Sequence, residues 1–138
     1  TAALAARGVR LHFHGVAIQP GKPTAFGTHA GGCVLALPGN PVSALTAFRL
    51  LAAVALRHLE GETAPEPRWQ QVPARFVWER AHGRWVFVPG RLGPDGVERV
   101  PYAGSGDLMA YARAGGQIVL APEVARVAPG DAVAFWPL

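Results

Sequence analysis

Pro38-Gly39-Asn40-Pro41-Val42-Ser43 is the stretch of this sequence best suited to binding chemistry. It follows a short apolar run, Val34 to Leu37, and opens a segment in which Val42, Leu45, Phe48, Ala52, Ala55, Leu56 and Leu59 recur at helical spacing. Asn40 suits the helix N-cap, and Pro41 suits the first helical position because it has no N–H to leave unpaired. The pattern predicts a buried strand, a tight turn and a helix whose first N–H groups point at an anion beyond the strand end. Upstream, Gln19-Pro20-Gly21-Lys22-Pro23 forms a second rigid turn. Lys22 is the only lysine among 13 basic residues, and a compact ammonium held on such a turn is a phosphate partner. Each turn has a plain alternative: a loop that only reverses the chain, and an exposed surface lysine.

Other candidates are weaker. Ser105 lies between Gly104 and Gly106, in an accessible loop before a helical segment expected over Asp107 to Ala114 with a cap at Ser105 to Asp107. It is either a ligand contact or an ordinary Ser turn or cap. His12 and His14 alternate on one strand face without a third metal ligand, while His29, His58 and His82 are isolated. No Ser/His/Asp order with a nucleophile elbow is present. Cys33 is the sole cysteine, so no internal disulfide forms; it reads as a small buried hydrophobe and fits a reducing, cytoplasmic setting. Glu60 is the only carboxylate in the first 60 residues and sits at the far end of the helix. A Mg²⁺ ion handling phosphates normally takes one or two carboxylates, which this part of the chain does not offer beside the turns; Asp107 at most approaches the cleft.

The elements that position these groups fall into two parts. Thr1 to Arg7 reads as a helix end stopped by Gly8, Val9 to Ile18 as a strand, and Thr24 to Gly27 and Gly32 to Leu37 as extended segments. The helix from Pro41 to about Leu59 closes this part. It is an α/β layout with too little chain to cover both faces of a parallel sheet, so the missing cover is expected from preceding chain. Gly61 to Gln71 reads as a linker. Beyond it, Val72 to Glu79, Arg84 to Pro89, Val97 to Val100, Gln117 to Ala121 and Ala132 to Trp136 are short β-rich runs. Turns at His82-Gly83, Pro94-Asp95-Gly96 and Pro129-Gly130-Asp131 separate them, which predicts a small, mostly antiparallel β-barrel or sandwich. All four tryptophans lie in this second part.

Composition is globular, with 50% hydrophobic and 16% charged residues among 138. No uninterrupted apolar run approaches about 18 residues, so no membrane span is expected. The net charge of +4 resides in residues 1–60, where five basic residues face one acid; eight arginines and eight acids cancel in residues 61–138. Anionic ligands are thus favoured near the Pro-Gly turns. The pI of about 10.2 and the tryptophans raise an RNA-binding barrel, but the uncharged second part lacks the basic stripe that such binding needs.

Pro20-Gly21-Lys22-Pro23, then Phe26-Gly27, then Leu37-Pro38-Gly39-Asn40-Pro41-Val42-Ser43-Ala44 resemble the MoeA family of molybdopterin molybdenumtransferases, relatives of the gephyrin C-terminal domain. Gly104-Ser105-Gly106, Ile118-Val119-Leu120 and Pro129-Gly130-Asp131-Ala132-Val133 match weaker family features. The resemblance implies that residues 1–60 end a three-layer molybdopterin-binding α/β domain, and that residues 61–138 are the linker and C-terminal β-barrel domain. It implies Mg²⁺-dependent insertion of molybdate into adenylylated molybdopterin with release of AMP, by a homodimer; the family's acidic loop is not in this sequence, so the Mg²⁺ ligands are expected mainly outside this chain, a C-terminal piece expected to be inactive alone. Lys22, Pro38, Gly39, Asn40, Pro41, Ser43 and Ser105 would then line the cofactor site. The family carries an arginine on the strand before the Ser105 loop; the aligned position here reads as Pro89, with Arg91 as the candidate substitute. A non-catalytic scaffold of the gephyrin type is the alternative implied by the same resemblance, and a peptide-binding apolar groove on the barrel would favour it.

Overall fold

A computed structural model describes residues 2–81 and 83–138, so the expected His82-Gly83 turn lies partly outside the described residues. A short helix, Ala2–Ala5, leads into an antiparallel sheet ordered β1-β3-β4, with β1 at Arg10–His14, β3 at Ala25–His29 and β4 at Gly32–Ala36. The strand expected over Val9 to Ile18 breaks at Gly15, which has φ +96°, a conformation that L side chains rarely adopt. The Gly15 N–H then bonds the Thr24 carbonyl, and the Val16 N–H bonds the Lys22 carbonyl. The chain resumes as β2, Ile18–Gln19, which leaves this sheet altogether. Two expectations fail on this side. The sheet is antiparallel rather than parallel, and β4 is only half-buried. Cys33 is accordingly exposed, because it sits at the open β3–β4 hairpin end opposite Thr28.

The long helix runs from Pro41 to Leu59, as its apolar spacing predicts, with a π-helical turn at Phe48–Ala52 that the spacing did not reveal. Pro41 occupies the helix start, and Gly61 follows the last turn. By length and composition alone this 19-residue helix is long and apolar enough to cross a membrane; Arg49 and Arg57 are its only Lys, Arg, Asp or Glu residues, and they break it into shorter apolar runs. One side of it packs on the β-rich part. Its other side, with Phe13 and Leu35 from the sheet and Leu51 and Val54 from the helix, borders an apolar groove of about 330 Å³.

The second part is a curled sheet. Strands β5 (Gln70–Pro73), β11 (Ala132–Pro137), β9 (Gly116–Leu120), β7 (Trp85–Gly93) and β8 (Gly96–Arg99) are joined edge to edge by antiparallel ladders. Between β8 and β5 there is only one parallel bridge, Ala74 to Val97, with the Arg75 N–H donating to the Val97 carbonyl at 2.8 Å. The sheet therefore does not close into the expected barrel by a continuous ladder. Two short strands, β6 (Trp78–Glu79) and β10 (Arg126–Val127), pair separately; β10 had no distinct sequence signal. Phe76, Val86, Val88, Ile118, Leu120 and Phe135 fill the interior.

Three contacts join the parts. Strand β2 adds in parallel to the edge of β7, pairing Ile18 with Trp85 and Gln19 with Val86. Ile18, Phe87, Val119 and Trp136 form a second apolar cluster at this junction. Within it, Arg49 lies 4.0 Å over the Trp136 ring and donates to the Pro137 carbonyl; burial lowers its pKa. Next to it is a buried polar network. Gln117 Nε2 donates to Thr46 Oγ1 at 2.8 Å and to the Tyr111 hydroxyl at 3.2 Å. Thr46 donates in turn to the Val42 carbonyl, and Tyr111 to the Phe87 carbonyl.

Breaking this network has a defined signature. Thr46→Val leaves the Gln117 amide short of an acceptor and should destabilise the chain by about 1–3 kcal/mol, whereas adding Gln117→Leu should recover part of the loss; denaturant unfolding of both variants measures this. Burial also pushes the Tyr111 pKa up to about 12. Because the folded value lies above the unfolded one, the folded state binds the proton more tightly, and stability falls as pH rises from about 10 to 12. Tyr111→Phe should remove that alkaline slope in melts recorded across the range.

Candidate functional site

The two Pro-Gly turns meet at one recess of about 470 Å³. Lys22, Pro38, Gly39, Asn40, Ser43 and Ser105 all line it; Pro41 lies behind the rim as the first helical residue. The Pro20–Pro23 turn is held by Thr24, whose hydroxyl donates to the Gly21 carbonyl at 2.7 Å inside the protein. Gly21 has φ +119°, and a Cβ there would stand 2.7 Å from Ile18 Cδ1, so only glycine lets the turn fold back over β2. Gln19 and Pro20, joined by a cis peptide bond, complete this wall.

The helix start differs from expectation. Asn40 has N-cap backbone angles, but its side chain makes no capping bond. Its Nδ2 instead donates to Ser105 Oγ at 2.8 Å, across 65 residues of chain. The Val42 N–H, expected to face an anion, donates to the Ser105 carbonyl at 3.2 Å. The Gly104 to Gly106 loop thus takes up polar groups that the isolated helix would leave open. Ser105 Oγ accepts from Asn40 and keeps its own proton available for an oxyanion.

The second part contributes Arg84 and Tyr102 to the same recess. Neither was a candidate from sequence. Arg84 immediately precedes β7, and it arrives at the recess because β2 pairs with Trp85 and Val86; no local pattern signals a pairing over so many residues. The arginine expected at this place was Arg91, but Arg91 lies elsewhere, 3.7 Å from Glu98, and Pro89 is buried within β7. Lys22 and Arg84 give the recess two cations, and no carboxylate lines it. Asp107 does not line it either: its carboxylate accepts from the N–H groups of Ala103 and Ala110, which cap the helix Leu108–Arg113 and lower its pKa.

A divalent cation does not fit these residues. Carboxylates are missing from the recess lining, and among the described residues no group of three His, Cys, Asp or Glu side chains comes together. Of the two histidines on β1, His12 shares a 2.8 Å hydrogen bond with the Thr28 hydroxyl and stacks on Phe26. Chemically, the recess suits a phosphate-bearing ligand: two cations, the hydroxyl residues Ser43, Tyr102 and Ser105, and a wall of rigid turns.

Comparison with known proteins matches both parts of the chain. Residues 1–58 match a probable molybdopterin binding domain, and residues 71–138 match the MoeA C-terminal region (domain IV). Molybdopterin molybdenumtransferase of Haemophilus influenzae is 33% identical over 138 residues, covering 93% of this chain and 33% of the relative. The Synechocystis enzyme of the same name is 30% identical, with similar coverage. A crystal structure of the molybdopterin biosynthesis MoeA protein from Pyrococcus horikosii superposes with a TM-score of 0.78 at 30% identity, over 99% of this chain and 34% of that one. The chain thus spans about a third of the length of the curated relatives it matches, and with both of its parts matched it belongs to the MoeA family of molybdopterin molybdenumtransferases.

Proposed function

We propose that this chain supplies the phosphate-anchoring wall of a molybdopterin molybdenumtransferase acting in molybdenum cofactor biosynthesis. The observation that carries the reading is the convergence of Lys22 and Arg84, one from each part, on a recess without carboxylates. In this reading residues 1–60 end the molybdopterin-binding domain and residues 61–138 form the linker and C-terminal domain. The substrates are adenylylated molybdopterin and molybdate, and AMP leaves as product. Lys22 and Arg84 neutralise phosphate charge, and Ser105 donates its proton to a phosphate oxygen. Asn40 fixes the Ser105 hydroxyl, while Pro38, Gly39, Pro41 and Ser43 hold the backbone of the turn rigid beneath the ligand. The anchored phosphate positions the rest of the substrate for reaction, which lowers the entropic part of the barrier.

Mg²⁺, required in the proposed reaction, would be held by carboxylates outside this chain. The complete enzyme works as a cytoplasmic homodimer, without nucleic-acid or membrane partners.

Calorimetric titration with AMP tests the reading. The chain should bind AMP, and Lys22→Ala should weaken binding about tenfold, corresponding to the loss of one charge-assisted contact. Equal affinity of the two proteins, or no binding by either, contradicts it. The same preparation should insert no molybdate, because the metal ligands lie elsewhere; turnover by residues 1–138 would refute that division of the site.

A further inference from the structure

Gln19 is the one carboxamide besides Asn40 on the recess wall; Asn40 donates to Ser105, whereas the buried Gln19 oxygen meets no donor. Its backbone is fixed by β2, opposite Val86, and its Oε1 is buried without a hydrogen-bond donor. A buried acceptor left unpaired is unfavourable, and the last torsion of a glutamine side chain is broad, so the carboxamide turns toward a donor in the recess at little cost. Lys22 and Arg84 account for an anion. Tyr102 is the sole aromatic side chain of the lining and presents a flat, half-buried face. A ligand that satisfies every one of these groups carries a phosphate, a planar ring and an N–H donor beside a ring acceptor.

We propose that Gln19 is the specificity residue for the adenine ring of a nucleoside monophosphate. Its Oε1 accepts from the exocyclic amine and its Nε2 donates to N7, the two-bond pairing through which a glutamine distinguishes adenine from other bases. Tyr102 supplies the stacking surface. This deepens the proposed function and rests on its phosphate-anchoring reading.

Calorimetric titration of the full chain with AMP and with purine riboside 5′-monophosphate, which lacks the amine, tests it. The unaltered chain should favour AMP about tenfold, and Gln19→Met should bind both about equally, losing more affinity for AMP than for the amine-free ligand, which gives up only the N7 bond. Equal binding of the two ligands by the unaltered chain overturns the proposal without need of a variant, as does a preference that survives in Gln19→Met with an unchanged melting temperature. If AMP binding depends on Lys22 but ignores the amine, the ring reading alone falls. If AMP does not bind, the phosphate reading falls with it.

Discussion

The two-residue strand Ile18–Gln19 is the constraint on which the rest of this architecture depends. Its parallel pairing with Trp85 and Val86 takes the chain out of the first sheet and fastens it to the edge of β7. The Pro20–Pro23 turn that follows is thereby placed over the junction, facing the helix start at Asn40 and the Ser105 loop. So short a strand gains little from its own ladder; it is stabilised by the cluster of Ile18, Phe87, Val119 and Trp136 beneath it and by the Thr46–Gln117–Tyr111 network alongside. The recess is consequently a product of the contact between parts and belongs to neither alone.

Electrostatics follows from the same contact. The excess positive charge of residues 1–60 provides Lys22 at the recess, and the balanced second part provides Arg84. Arg75, Arg91 and Arg126 of that second part lie near acids away from the recess, as in the Arg75 contacts with Asp95 and Glu98. Arg49 is spent differently: it lies over Trp136 and bonds the Pro137 carbonyl, which makes it a structural clamp rather than a ligand. What faces the recess is therefore a small, local positive field with neutral polar groups around it, which suits a phosphate ester better than a long polyanion.

Features set by neighbouring residues were legible in the sequence. The apolar spacing from Val42 to Leu59 marked the helix, Pro94-Asp95-Gly96 marked the β7–β8 hairpin, and the two Pro-Gly turns marked five residues that do line one recess, Lys22, Pro38, Gly39, Asn40 and Ser43. Features set by distant partners were not. Asn40 looked like a cap because its local alternatives favour capping, yet Ser105, far along the chain, offers the acceptor that wins. Arg84 carries no local mark, and Arg91 drew attention only by its nearness to a family position. Cys33 looked buried because its strand is apolar, but no element covers the hairpin end where it lies. The barrel expectation counted strands correctly in the main and missed that β5 and β8 meet at one bridge only.

The central claim is that the two parts form one cooperative body through β2 and the helix. Native-state hydrogen exchange on the full chain tests it most directly. The account predicts that the amides of Gln19, of the helix turn around Thr46 and of β9 and β11 exchange with a common opening free energy. Exchange of residues 10–59 at a distinctly lower free energy, while β7, β9 and β11 stay protected, would contradict it.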